Sequence, residues 1–130
     1  MERQKLCASA AAFGLGAVGY PLLELLWRGR THWTMALTGG SCALLLWKIA
    51  GTRLPFPLKC LLSAGAITGT EFAVGCLVNL RLGWDVWDYS GQPYNLLGQI
   101  CPGYAALWLL LSVPTLGGCG YLQKRFRVSP

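Results

Sequence analysis

Apolar residues in this chain come in four long runs, separated by short stretches rich in glycine, proline and charge. A membrane-spanning helix needs about 20 mostly apolar residues. The runs at residues 6–27, 33–50, 57–80 and 95–118 are of that order, and the connections Arg28-Gly29-Arg30 and Gly51-Thr52-Arg53-Leu54-Pro55 carry the turn formers and charges between them. The pattern predicts an all-α fold, a four-transmembrane-helix bundle with a Trp/Asp-rich outer loop between helices 3 and 4. Residues 1–130 form a single integral membrane domain on this reading. The N-terminal run resembles a signal peptide, but it is too long and further spans follow it, so it reads as a retained first helix.

Periodicity within the runs predicts which faces look inward. In the first, Ala10, Phe13, Ala17, Tyr20, Glu24 and Arg28 recur at spacings of three and four and share one face. Glu24 and Arg28 can form an interfacial i to i+4 ion pair that tethers the helix end, or belong to a site. The second run contains Thr38-Gly39-Gly40-Ser41, small residues that let a neighbouring backbone come close. In the third, Ala64, Thr68, Glu71, Gly75 and Asn79 form a stripe of small and polar residues, with Gly65 and Gly69 on an adjacent face and Leu62, Ala66, Ala73, Leu77 and Leu80 opposite. Glu71 therefore points into the bundle. A carboxylate at membrane depth costs at least a few kcal/mol unless it is paired, hydrated or protonated.

Between the third and fourth runs lies Trp84-Asp85-Val86-Trp87-Asp88-Tyr89-Ser90, followed by turn formers and Asn95, a plausible N-cap for the fourth helix. Alternating helix directions bring Glu24, Glu71, Asn95, Gly98 and Gln99 to similar depth. Pro102 would leave the Gly98 carbonyl without its helical partner, adding an acceptor there. The candidate substrate- or ion-binding residues are accordingly Glu71, Glu24, Asp88, Tyr89, Asn95 and Gln99, with no residue assigned a catalytic or metal-binding role. Trp27, Trp33, Trp84 and Trp87 are expected at the outer membrane interface and Trp47 at the inner one.

Composition sharpens this picture. With 54% hydrophobic and 12% charged residues, the chain is too apolar for a conventional water-soluble domain. Eleven Lys and Arg against five Asp and Glu could suggest nucleic acid, but the basic residues cluster at run ends, where they act as topology determinants and lipid contacts, so no nucleic-acid partner is expected. Arg3, Lys5, Lys48, Arg53, Lys59, Lys124, Arg125 and Arg127 fall on one side against Arg28, Arg30 and Arg81 on the other, which places both termini in the cytoplasm. The six cysteines are scattered singly, without a C-x-x-C pair and with one histidine, His32, so neither a disulfide framework nor a metal or other cofactor is expected.

Gly19 with Glu24, Arg28-Gly29-Arg30-Thr31-His32-Trp33, Glu71 with Gly75, Trp87-Asp88-Tyr89-Ser90, Asn95 and Gly98-Gln99-Ile100 together resemble a family of small integral membrane proteins labelled ABC-transporter permease, type IV, relatives of the transmembrane protein 229 group. The resemblance implies a transporter- or permease-like subunit of a bacterial plasma membrane. The chain has no Walker A pattern and no long cytoplasmic loop suited to an ATPase, and four helices barely enclose a pathway, so transport would require a homo-oligomer or another membrane subunit. Two further readings stand beside it. One is a structural or regulatory membrane partner in which Glu71 hydrogen-bonds the Trp87 to Asn95 segment and locks the fold. The other is a membrane enzyme using Glu24, Glu71 and Asp88 as acid and base, which no Ser, Cys or His constellation supports.

Overall fold

Four α-helices and one π-helical turn make up the computed structural model, which describes all 130 residues: α1 (Glu2–Arg28), α2 (Trp33–Ala50), α3 (Phe56–Gly75), a π turn (Cys76–Arg81) and α4 (Pro102–Phe126). Local chemistry sets the ends. Gly29 closes α1 in the left-handed conformation, its N–H donating to the Leu25 carbonyl, and the His32 ring caps the first turn of α2 by accepting from Thr34 N–H. Proline opens α3 and α4, where a missing N–H costs nothing.

Three of these helices, α1, α3 with its π extension, and α4, are long and apolar enough to cross a membrane. α2, at 18 residues the shortest of the four, does not reach that composition by itself; wrapped by the other three helices, it can still cross the bilayer inside the bundle. Thr34, Thr38, Gly39, Gly40, Ser41 and Lys48 dilute its apolar content, and its position explains why they are tolerated. Alone among the helices, α2 packs against all three others, and it holds more buried residues than any of them. A helix wrapped by protein need not match lipid, so small and hydroxyl-bearing residues serve close packing there.

The tightest packing is between α1 and α2. A Cβ on Gly39 would lie 2.5 Å from the Gly16 carbonyl oxygen, and one on Gly40 would lie 2.7 Å from the Phe13 ring. By contrast, α1 has no fully buried residue, and Leu15, Val18, Leu22 and Leu26 remain exposed on its far side. The small stripe of α3 is turned by about one position from its expected register. Cys60, Ser63, Ile67, Glu71 and Gly75 are the buried set, Ala64 and Thr68 lie half-buried beside them, and Gly65 and Gly69 look into open space.

Two apolar clusters form the core. Cys42, Leu46 and Ala50 of α2 pack with Cys60 and Ile67 of α3 and Leu116 of α4. Met35, Val78, Val86 and Trp87 form the second cluster, so the segment after the π turn folds back into the bundle. Trp87 and Trp47 are only 3% and 7% exposed and belong to the core rather than to interfacial belts, whereas Trp27, Trp33 and Trp84 are exposed as expected. The cysteines are all free, with Cys42, Cys60 and Cys101 buried.

The expected start of the fourth helix near residue 95 is corrected to Pro102. Residues 95–101 stay non-helical because other partners claim their polar groups. The Asn95 amide donates to the Ser90 and Gln92 carbonyls while its oxygen accepts from Gly98 N–H, so it closes a turn instead of capping α4. The Gly98 carbonyl accepts from Tyr89 N–H at 2.7 Å, so Pro102 does not leave it free. Leu97 and Gly98 both take positive φ there, a conformation that favours glycine and that Leu97 holds against its side chain.

Candidate functional site

Asn79, on the π turn, is the hub that docks the long connection. Its amide N–H donates to Gln99 Oε1 at 2.8 Å, and its oxygen accepts from the backbone N–H of Val86 at 2.7 Å. Gln99 in turn donates to the Leu97 carbonyl, and the Trp87 indole N–H donates to the Gln99 carbonyl at 2.9 Å. Gly75 makes room for this knot, since a Cβ there would come within 2.6 Å of Gln99 Oε1 and 2.8 Å of the Trp87 ring. The sequence marked Asn79 as part of the polar stripe of the third run and Gln99 as a polar group level with Glu71; in the fold the two bond to each other and dock the connection.

With the connection held in this way, Tyr89 is brought over the bundle beside Glu71 and Glu24. Glu71 is 5% exposed, between the two apolar clusters along α3. Its Oε2 accepts from the Trp108 indole N–H of α4 at 2.7 Å. Its Oε1 has no hydrogen-bond partner, and the Tyr89 phenol is the donor beside it. A cavity of about 10 Å³ lies against this carboxylate, lined also by Tyr20, Glu24, Met35, Thr38, Trp87 and Tyr89. That volume is near the lower limit for one water molecule.

Glu24 borders the same cavity and is itself paired. Arg28 Nη2 lies 2.9 Å from its Oε2, and the Thr31 hydroxyl donates to its Oε1 at 3.1 Å. The Arg28 guanidinium also donates to the Val86 carbonyl at 3.1 Å, so the ion pair expected at the end of α1 also holds the connection. Burial, followed by the nearby Glu71 charge, pushes the Tyr89 phenol up, so it stays protonated at neutral pH and can donate but not serve as a base.

Of the six candidate residues, Glu71, Glu24 and Tyr89 surround one cavity, and Gln99 supports it through Trp87. Asp88 and Asn95 do not join them. Asp88 is exposed, and its carboxylate accepts from Ser90 N–H at 2.9 Å, a bond that holds its pKa below the usual aspartate range. Asn95 is spent on the turn described above. No three His, Cys, Asp or Glu side chains converge in a metal-ligating arrangement.

Trp108 and Tyr104 were missed by the sequence reading. The signal was present, because an indole in the middle of an apolar run carries an N–H that needs an acceptor, and buried tryptophans usually find one. Tyr104 stacks on Tyr89 with ring centroids 4.5 Å apart and an interplanar angle of 11°, and Trp108 lies 5.8 Å from Tyr20.

Comparison with curated proteins and with solved structures gives no match. Three membrane-length helices and a family match covering nearly the whole sequence agree on an integral membrane protein. Over residues 13–125 the chain matches the family described as "Putative ABC-transporter type IV", and it belongs to that family.

Proposed function

We propose that this protein is a small transporter- or permease-like subunit in which Glu71, seconded by Glu24, exchanges a proton or binds a small cation. The observation that carries this reading is the unpartnered Oε1 of a buried carboxylate facing a water-sized cavity. A buried polar atom without a partner is costly, and such groups in membrane proteins mark ion and proton pathways. The competing idea, that Glu71 locks the connection between α3 and α4, has less support. That connection is held by Asn79, Gln99, Trp87 and Arg28, and the hydrogen bond Glu71 makes runs to Trp108 of α4, with Tyr89 of the connection beside its other oxygen.

On this reading the connection lies on the outer face and both termini are cytoplasmic, following the basic bias of the chain. Four helices barely enclose a pathway, so on this reading a second copy or another membrane subunit completes it. The test is proton flux into liposomes driven by a potassium diffusion potential and reported by an internal pH dye. Glu71→Gln should reduce the flux at least tenfold while the protein remains folded. Flux equal to that of the parent protein would end the proposal.

A further inference from the structure

Beside the water-sized cavity lies a second, larger crevice of about 240 Å³ between α1 and α4. These two helices do not pack against each other; α1 rests on α2, and α4 on α2 and α3. Only long side chains cross the gap: the Trp27 indole N–H donates to the Tyr104 hydroxyl at 3.3 Å, and the Tyr20 ring leans on Trp108. Leu23, Leu107 and Leu111 flank the opening and are exposed. Because both helices are of membrane-spanning length and composition, the crevice opens sideways toward acyl chains.

The chemistry of the walls limits what can sit there. Tyr20, Trp27, Tyr89, Tyr104 and Trp108 bring five aromatic rings to one crevice, and ring faces attract cations. Tyr20, Glu24 and Tyr89 line both the crevice and the small cavity, so they form the partition between the apolar opening and Glu71. Arg28 is the one cation in the crevice lining, and its Nη2 is committed to Glu24 and to the Val86 carbonyl. With Glu24 bonded to Arg28 and Thr31, the unbonded oxygen of Glu71 is the acidic acceptor left behind the partition.

We infer that this crevice is the binding site for a lipophilic ammonium, with its apolar body between α1 and α4 and its nitrogen against the aromatic partition, facing Glu24 and Glu71. The inference rests on the transport reading above and adds the chemical class of the substrate and its route, which is lateral from the bilayer. An anionic amphipath would meet ring faces and carboxylates, and a neutral one would leave the acidic group unanswered. The walls therefore favour the cation over either.

The experiment is equilibrium binding of tritiated decyltrimethylammonium to the full chain in lipid nanodiscs, with empty discs subtracted and with decyl sulfate and decanol as matched probes. The ammonium should bind saturably, one per chain, and the sulfate and the alcohol should not rise above the empty-disc level. Leu107→Trp, which fills the crevice from an exposed position, should weaken binding at least tenfold, and Leu111→Trp provides the same test if the first variant does not fold. Glu71→Gln should also weaken it at least tenfold. Equal binding of decyl sulfate, ammonium binding no greater than in empty discs, or a phospholipid that stays bound and is not displaced by the ammonium would each overturn the inference. Absent ammonium binding alongside proton flux that still depends on Glu71 would remove only the substrate class. Ammonium binding undiminished by Glu71→Gln would overturn the placement of the nitrogen toward Glu71, while the flux assay decides the role of Glu71 in proton exchange.

Discussion

Asn79→Ala should release the connection between α3 and α4. The substitution removes the acceptor of Val86 N–H and the donor to Gln99 Oε1, and Val86 and Gln99 are both almost fully buried. Leaving a buried donor unpaired costs about 1–3 kcal/mol, and losing the second bond adds about 1 kcal/mol, so the expected loss is about 2–4 kcal/mol. Asn79→Asp keeps the acceptor for Val86 but turns an acceptor toward the buried Gln99 Oε1, so it should cost about 1–3 kcal/mol. Denaturant unfolding in detergent micelles, followed by the emission of the buried tryptophans Trp87 and Trp47, measures both. Tryptic cleavage after the exposed Arg81 supplies an independent readout, since a released connection should be cut faster. The two substitutions should also couple: Asn79→Ala and Gln99→Ala combined should lose less than the sum of their separate effects. An alanine variant within about 0.5 kcal/mol of the parent protein, with unchanged cleavage, would refute the claim that Asn79 holds this segment.

The other expectations concern packing and charge. Gly39→Ala should destabilise the protein by about 3 kcal/mol or prevent folding, because the new methyl group meets the Gly16 backbone, whereas Gly19→Ala, with nothing within 4 Å, should melt within a degree or two of the parent protein. Glu71→Gln and Asp88→Asn should be additive within about 0.5 kcal/mol in a double-mutant cycle, since the two carboxylates have different partners; strong coupling would restore the idea of a shared site. The Asp88 carboxyl, followed by carbon-13 NMR, should titrate below the ordinary aspartate range. Because the folded turn favours the ionised form, the turn is held above that range and loosens as pH falls through the lower folded value. A titration at or above the ordinary range would contradict the Ser90 bond.

Helix number and the inward direction of Glu71 were legible in the sequence because both rest on apolar runs and a 3.6-residue period, which packing did not override. Legibility failed where one residue type suits two environments. A tryptophan serves equally well at a lipid headgroup or in a core, and nothing local to Trp87 distinguishes them; its burial follows from Met35 and Val78 standing where its ring lands. The α2 helix has the length of a span, and its hydroxyls and glycines record burial by three neighbours, which hydropathy alone cannot separate from lipid contact. Asn95 read as a helix cap because asparagine favours caps and turns for the same reason: its side chain mimics the backbone.

The candidate site was half-legible for a related reason. Polarity and depth together nominated Glu71, Glu24, Asp88, Tyr89, Asn95 and Gln99, but a site depends on which polar groups remain unspent after the fold has used the rest. Asp88 is spent on Ser90, Asn95 on its turn, Gln99 on Asn79 and Leu97, and Glu24 on Arg28 and Thr31. Glu71 has one oxygen bonded to Trp108 and one left over. A carboxylate whose role was only to stabilise the bundle would be expected to satisfy both, since hydroxyl-bearing residues on adjacent turns show that nearby partners are easily supplied. Thr70 and Ser112 bond back to their own helices, and Thr68 lies unpaired one turn away, so the vacancy at Oε1 is not forced by a lack of donors in the sequence. A fold that leaves the oxygen unbonded beside a protonated tyrosine and a water-sized cavity keeps that position open to a proton or a positively charged guest.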